Sequence, residues 1–153
     1  MPLPESPPLG KLPYPPPLEF APDMAQFWLL WRQEKFWACH EALEEIWLQT
    51  EEPRKRFLNG LIHGATATFQ ARRSHGVGAA RQLVRARVKL EPFCPVYEAL
   101  DVQQFLDGVA GEVAPLIQQL TISQRAGLVV LETRLRAELP STLETQTSCP
   151  QKL

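Results

Sequence analysis

The sequence predicts an all-α fold, a compact bundle of five to six helices built around a central antiparallel helical hairpin. Three observations predict it. Apolar side chains recur at helical spacing through most of residues 23–139. No stretch alternates apolar and polar residues with a period of two, as a half-buried strand would. The breaks between the periodic runs carry Pro and Gly, which interrupt helices. With 153 residues and 44% apolar content, the chain is long enough for one domain with its own core.

The chain divides into three parts. Nine of its 15 prolines fall within residues 1–22. Pro fixes φ and lacks an N–H, so this stretch is expected as an extended arm, with Leu12, Tyr14, Leu18 and Phe20 lying along the domain surface. A single α-helical domain is expected over 23–139. Residues 140–153 are polar and without periodicity, and read as a disordered tail.

Within the domain, Asp23 is placed to cap a first helix running to about Gln33, with Phe27, Leu30 and Trp31 on one side. Glu34 and Lys35 read as a short turn. A second helix covers Phe36 to about Gln49. Pro53 suits the first turn of a third helix, where no N–H is needed, and that helix runs to about Arg73. Ser74–Gly78, with two glycines, reads as the next break. A fourth helix spans Ala79–Leu90 and stops at Pro92. Asp101 is a credible cap for a fifth, which Pro115 should end or kink. A sixth runs from about Ser123 to Leu139, with Leu128, Leu131 and Leu135 at helical spacing.

The second and third helices carry the chemistry. His40, Glu44 and Trp47 stand at i, i+4 and i+7, so the latter two fall within about 40° of His40 on one stripe, which Trp37 extends. A stripe holding two tryptophans is expected to face inward, and buried ionisable groups there need partners. In the third helix Gly60 and Gly64 are four apart, with Ala67 and Ala71 continuing the row. A mid-helix Gly costs roughly 1 kcal/mol against Ala, so a close neighbouring backbone is expected, and the second helix is the nearest candidate. Equal rise on both sides of the Glu51–Glu52 turn sets His40 against His63, Glu44 against Asn59 and Trp47 against Arg56. Three readings of the cluster His40, Glu44, Trp47, Asn59 and His63 stay open. His40, Glu44 and His63 ligate a divalent metal, whose open position would make a metal-assisted hydrolase the first enzyme to consider. The cluster is a buried polar network that registers the helices. Or it is a pocket for a small ligand without metal.

These residues resemble a known family. The order His, three residues, Glu, two residues, Trp, present as His40, Glu44 and Trp47, is similar to the hallmark of the bacterial and archaeal domain of unknown function family 309. Phe57-Leu58-Asn59-Gly60-Leu61-Ile62-His63, Phe69-Gln70, and Ser74-His75 with Gly78-Ala79 stand where that family has its following segments, so the resemblance covers about 25–92. It implies a helical fold, no assigned activity and a motif regarded as a metal-binding candidate. The chain departs from the family pattern at Asn59 and His63, which replace glutamines, and at Gln70, which replaces a histidine.

Charge supplies a rival reading. The net charge is −1, yet residues 53–91 hold nine basic side chains and one acid, while 1–52 hold nine acids and three bases. Arg72, Arg73, Arg81 and Arg85 form a candidate face for phosphate, RNA or another anion. The alternative is a solvated face neutralised by acids of the second helix. The absence of aromatics in the basic stretch after Phe69 argues against base stacking. No nucleophile elbow, P-loop or dinucleotide fingerprint is present. Cys39 reads as a small buried residue and the tryptophans Trp28 and Trp31 as core. A homo-oligomer is a further expectation, and membrane insertion is not. The three cysteines share no paired spacing, and no basic stretch followed by an apolar segment opens the chain, so a reduced, cytoplasmic protein is expected.

Overall fold

The computed structural model describes residues 12–139; the proposed tail and the first half of the proposed arm lie outside the described residues. Six helices follow in order: α1 Ala25–Arg32, α2 Phe36–Leu48, α3 Arg54–Arg72, α4 Gly76–Leu90, α5 Val102–Ile117 and α6 Ile122–Ala137. They form an all-α bundle, as the periodicity predicts. The strands among the described residues are β1 Val96–Tyr97 and β2 Leu100–Asp101, an antiparallel pair too short to show alternation in sequence. Glu98 and Ala99, both at positive φ, turn the chain between them.

Helix α1 begins differently from the expectation. Met24 takes the N-cap, with no side-chain cap bond, after a 3₁₀ turn at Pro22–Met24. The Asp23 carboxylate is drawn to Arg54, whose two Nη atoms each donate to it at 2.9 Å. Arg54 gives the carboxylate two charge-assisted hydrogen bonds from a cation, where a helix cap would give it backbone N–H donors alone, and Asp23 sides with Arg54. The same guanidinium also donates to Glu98, tying the start of α3 to the strand turn. Pro53 is the N-cap of α3 and stands just before its first turn.

Helix α3 is the central element and packs most heavily on α4. The glycine row does not serve α2. A Cβ at Gly60 would strike the Leu90 side chain, and one at Gly64 would sit 2.6 Å from the Phe105 ring. The glycines therefore seat large side chains of α4 and α5. The break after α3 is also narrower than predicted. Ser74 takes φ 61° and His75 is the N-cap, so Gly76 and Gly78 lie inside α4. Burial of Ala79, Ala80 and Leu83 on α4 outweighs the modest helix cost of those glycines.

Two caps hold the remaining helices. Asp101 accepts from the Gln104 N–H at 3.0 Å, as predicted, and Pro115 is accommodated in the last turn of α5. Thr121 and Gln124 form a reciprocal capping box at the start of α6. Helix α6 is held by buried Leu131, which joins Val84 and Val88 of α4.

The arm enters the core where surface contact was expected. Tyr14 is 6% exposed, against Trp28 and the edge of Phe105. Its carbonyl accepts from Trp31 Nε1 at 2.6 Å, and its hydroxyl accepts from the Asp101 N–H at 3.1 Å. The Pro13 carbonyl lies directly over Gly108, where any Cβ would collide with it. Leu18 and Phe20 do stay exposed. Cys39 is free and buried, and its thiol donates to the Phe27 carbonyl. Cys94 is disulfide-bonded, against the expectation of reduced thiols, so the cysteines no longer argue for a reducing compartment. Among the described residues no helix is long and apolar enough to cross a membrane.

Candidate functional site

The short connections of α3 to α2 and α4 lay the three helices side by side. Hydrogen bonds of His63 to Gln82 and of Gln70 to His75 show that α3 and α4 run antiparallel. Between the three helices lies a cavity of about 370 Å³. His40, Glu44, Trp47, Asn59 and His63, the five residues expected to converge, all line it. Trp37, Ile62, Thr66, Gln70 and Gln82 complete the wall. Gln82 was missed because the face that the fourth helix turns toward the hairpin is not evident from composition. Its signal is positional: stepping back seven residues on α3 from Gln70 to His63 and forward seven on α4 from His75 to Gln82 keeps the register.

The stripe on α2 is not withdrawn from water as expected. The Trp37 residue is 44% exposed, and the Glu44 side chain 49%. His40 is more covered, at 18%, stacked under the Trp37 indole with ring centroids 4.6 Å apart. The residues that are buried on α2 are Phe36, Cys39 and Leu43, one step round the helix. The His–Glu–Trp stripe thus forms the open wall of the cavity rather than a piece of core.

Each imidazole has a distinct environment. His63 Nδ1 lies 2.6 Å from Gln82 Oε1. Burial pushes the His63 pKa down to about 4, the charges of Lys89, Arg85 and His40 push the same way, and the Gln82 bond opposes them. The ring is therefore neutral at pH 7. Since Oε1 only accepts, Nδ1 carries the proton and Nε2 is left as an acceptor. His40 Nδ1 is buried without a hydrogen-bond partner among the described residues. Its Nε2 stands 3.8 Å from Glu44 Oε2, too far for a hydrogen bond. Thr66 turns its hydroxyl onto the Ile62 carbonyl of its own helix.

These contacts bear on metal binding. His40 and Glu44 are near enough to share an ion, and His63, with Nδ1 on Gln82, keeps Nε2 as its available nitrogen. Among the described residues no group of three or more His, Cys, Asp and Glu side chains is arranged to hold a metal ion. The expected trio of His40, Glu44 and His63 shares a cavity without converging on one point.

Residues 24–82 match the DUF309 family model, a domain of unknown function. The match stops at 82, short of the 92 expected. The DUF309 segment thus holds α1, α2, α3 and the first half of α4, and it ends on Gln82, the partner of His63. All ten lining residues of the cavity fall inside it. No curated protein and no solved structure matches the chain.

The basic residues singled out in the sequence do not form one face. Arg72 is bound bidentately to Glu112 and also donates to Glu34, closing α3 against α5 and the α1–α2 turn. Arg73 lies over the Phe69 ring, 5.4 Å from its centre. Only Arg81 and Arg85, one turn apart on α4, still act on each other as a like-charged pair. Acids outside the second helix neutralise Arg72, which sequence proximity alone did not suggest.

Proposed function

We propose that the cavity between α2, α3 and α4 binds a small organic ligand with a flat, hydrogen-bonding body, and that no metal is its principal occupant. The single observation that carries this reading is the buried Nδ1 of His40, which has no hydrogen-bond partner among the described residues, in a cavity where Glu44 and Asn59 are also without one while His63, Thr66, Gln70 and Gln82 are already engaged. A self-sufficient polar network would satisfy that atom internally, because a buried unpaired polar group costs about 1–3 kcal/mol. The cavity walls fit the proposed chemistry. Trp37 and Trp47 offer flat apolar surface, Glu44 and His63 Nε2 accept hydrogen bonds, and the amides of Asn59, Gln70 and Gln82 give and accept them. The reading assigns binding and no bond-breaking step.

Quenching of tryptophan fluorescence by a set of nucleobases and nucleosides tests it. At least one class is expected to saturate, with affinity reduced tenfold or more in Glu44→Gln and in His40→Ala. Stoichiometric metal in protein purified without an affinity tag, lost in a His40→Ala, Glu44→Gln double variant, would overturn it. So would absence of saturable binding combined with marked destabilisation of His40→Ala, which returns the cluster to a structural role.

A further inference from the structure

The α3–α4 seam repeats every seven residues along both helices. Gln70 meets His75, and His63 meets Gln82, each through a side-chain hydrogen bond. The next step sets Arg56 against Lys89, and Arg56 is the strongest charge acting on Lys89. Where the first two rungs are complementary, this one joins two cations. Arg85, one turn before Lys89, adds a third. None of the three forms an ion pair among the described residues. Glu52 and Glu138 act on Lys89 from beyond pairing distance, and Arg81 and Arg134 add like charge around Arg85. Arg56, Arg85 and Lys89 are all partly buried, and Arg56 Nε is fully buried without a hydrogen-bond partner.

Like charges facing each other in a partly desolvated seam raise the energy of the protein, and a buried guanidinium N–H without an acceptor raises it further. The repulsion is relieved by an anion with several acceptor oxygens, held by the terminal nitrogens of these side chains. We propose that Arg56, Arg85 and Lys89 form a phosphate-binding notch continuous with the cavity, so that its ligand is a small phosphorylated molecule. Arg56 stands one turn before Asn59, and Lys89 two turns beyond Gln82, so the notch adjoins the cavity wall. A guanidinium opposite an ammonium matches a phosphate dianion, the first through paired donors and the second as a point charge. The organic end of the ligand rests on the reading of the cavity given above; the notch itself does not.

Calorimetric titration with inorganic phosphate at fixed ionic strength tests the notch alone. One saturable site is expected, weakened at least tenfold in Lys89→Gln and in Arg56→Gln, and unchanged in Arg73→Gln, which removes an equal charge elsewhere. Without phosphate, the first two variants should melt no lower than the parent protein, since each removes a repulsion. A merely structural role would make them melt lower. Absence of saturable binding, or equal binding in all variants, overturns the proposal. A steeply salt-dependent affinity for an RNA oligonucleotide that exceeds phosphate binding, and that the same variants weaken, also overturns it by making the seam a nucleic-acid contact. His40→Ala should leave inorganic phosphate binding intact, and a parent protein that binds inorganic phosphate but no nucleobase or nucleoside would sink only the cavity reading.

Discussion

Acid should expose the environment of His63. Its folded pKa is about 4, against about 6.5 for a free imidazole. The unfolded chain therefore takes up a proton first as pH falls. The resulting contribution to stability is complete above pH 6.5 and is lost progressively as pH drops from 6.5 toward 4. A gap of this size corresponds to roughly 3 kcal/mol, with a steepest slope near 1.4 kcal/mol per pH unit. The groups that set it come from two neighbours: Gln82, Arg85 and Lys89 on α4, and His40 on α2. Urea unfolding of the parent protein and of His63→Gln, at steps from pH 7.5 to 4.5, isolates the effect, because carboxylate losses are common to both. The two stability curves should diverge as pH falls, with the parent losing more. A proton-detected titration of the His63 ring should show no midpoint above pH 5. A midpoint near 6.5, or a stability difference that does not change with pH, would refute the account of this site.

Two further substitutions test packing. Gly64→Ala places a methyl 2.6 Å from the ring of fully buried Phe105; overpacking of about 1–3 kcal/mol should exceed the gain of up to about 1 kcal/mol in helix propensity, and a raised urea midpoint would count against it. Gly108→Ala should push Pro13 off α5 and carry Tyr14 out of the core. Faster amide exchange of Asp101, whose N–H donates to the Tyr14 hydroxyl, would reveal this, and an unchanged exchange rate would contradict it.

Helix number, the hairpin and five of the ten residues that line the cavity were legible because they depend on local periodicity and one short connection. His40, Glu44, Asn59 and His63 could be brought together by counting rise on either side of a turn. What counting could not supply was the third wall. Gln82 belongs to the site because of how α4 rotates on α3, where Leu90 seats on Gly60, and no local signal gives that rotation. Tyr14 was misplaced for a related reason. A proline-rich stretch reads as lacking structure of its own, yet it needs none, since Trp31 and Asp101 supply the partners for its backbone and hydroxyl. Asp23 shows a competition that sequence hides: the helix end and Arg54 bid for one carboxylate, and the partner lies 31 positions away.

The sockets on α3 are filled from elsewhere in the chain. Gly60 receives Leu90 and Gly64 receives Phe105, and both occupants lie past residue 82, where the family match stops. A fragment excised at 24–82 would present both hollows, together with the uncovered Trp31 indole N–H, to water. In this chain the packing around the family segment is completed from outside it, by one side chain at the end of α4 and one on α5.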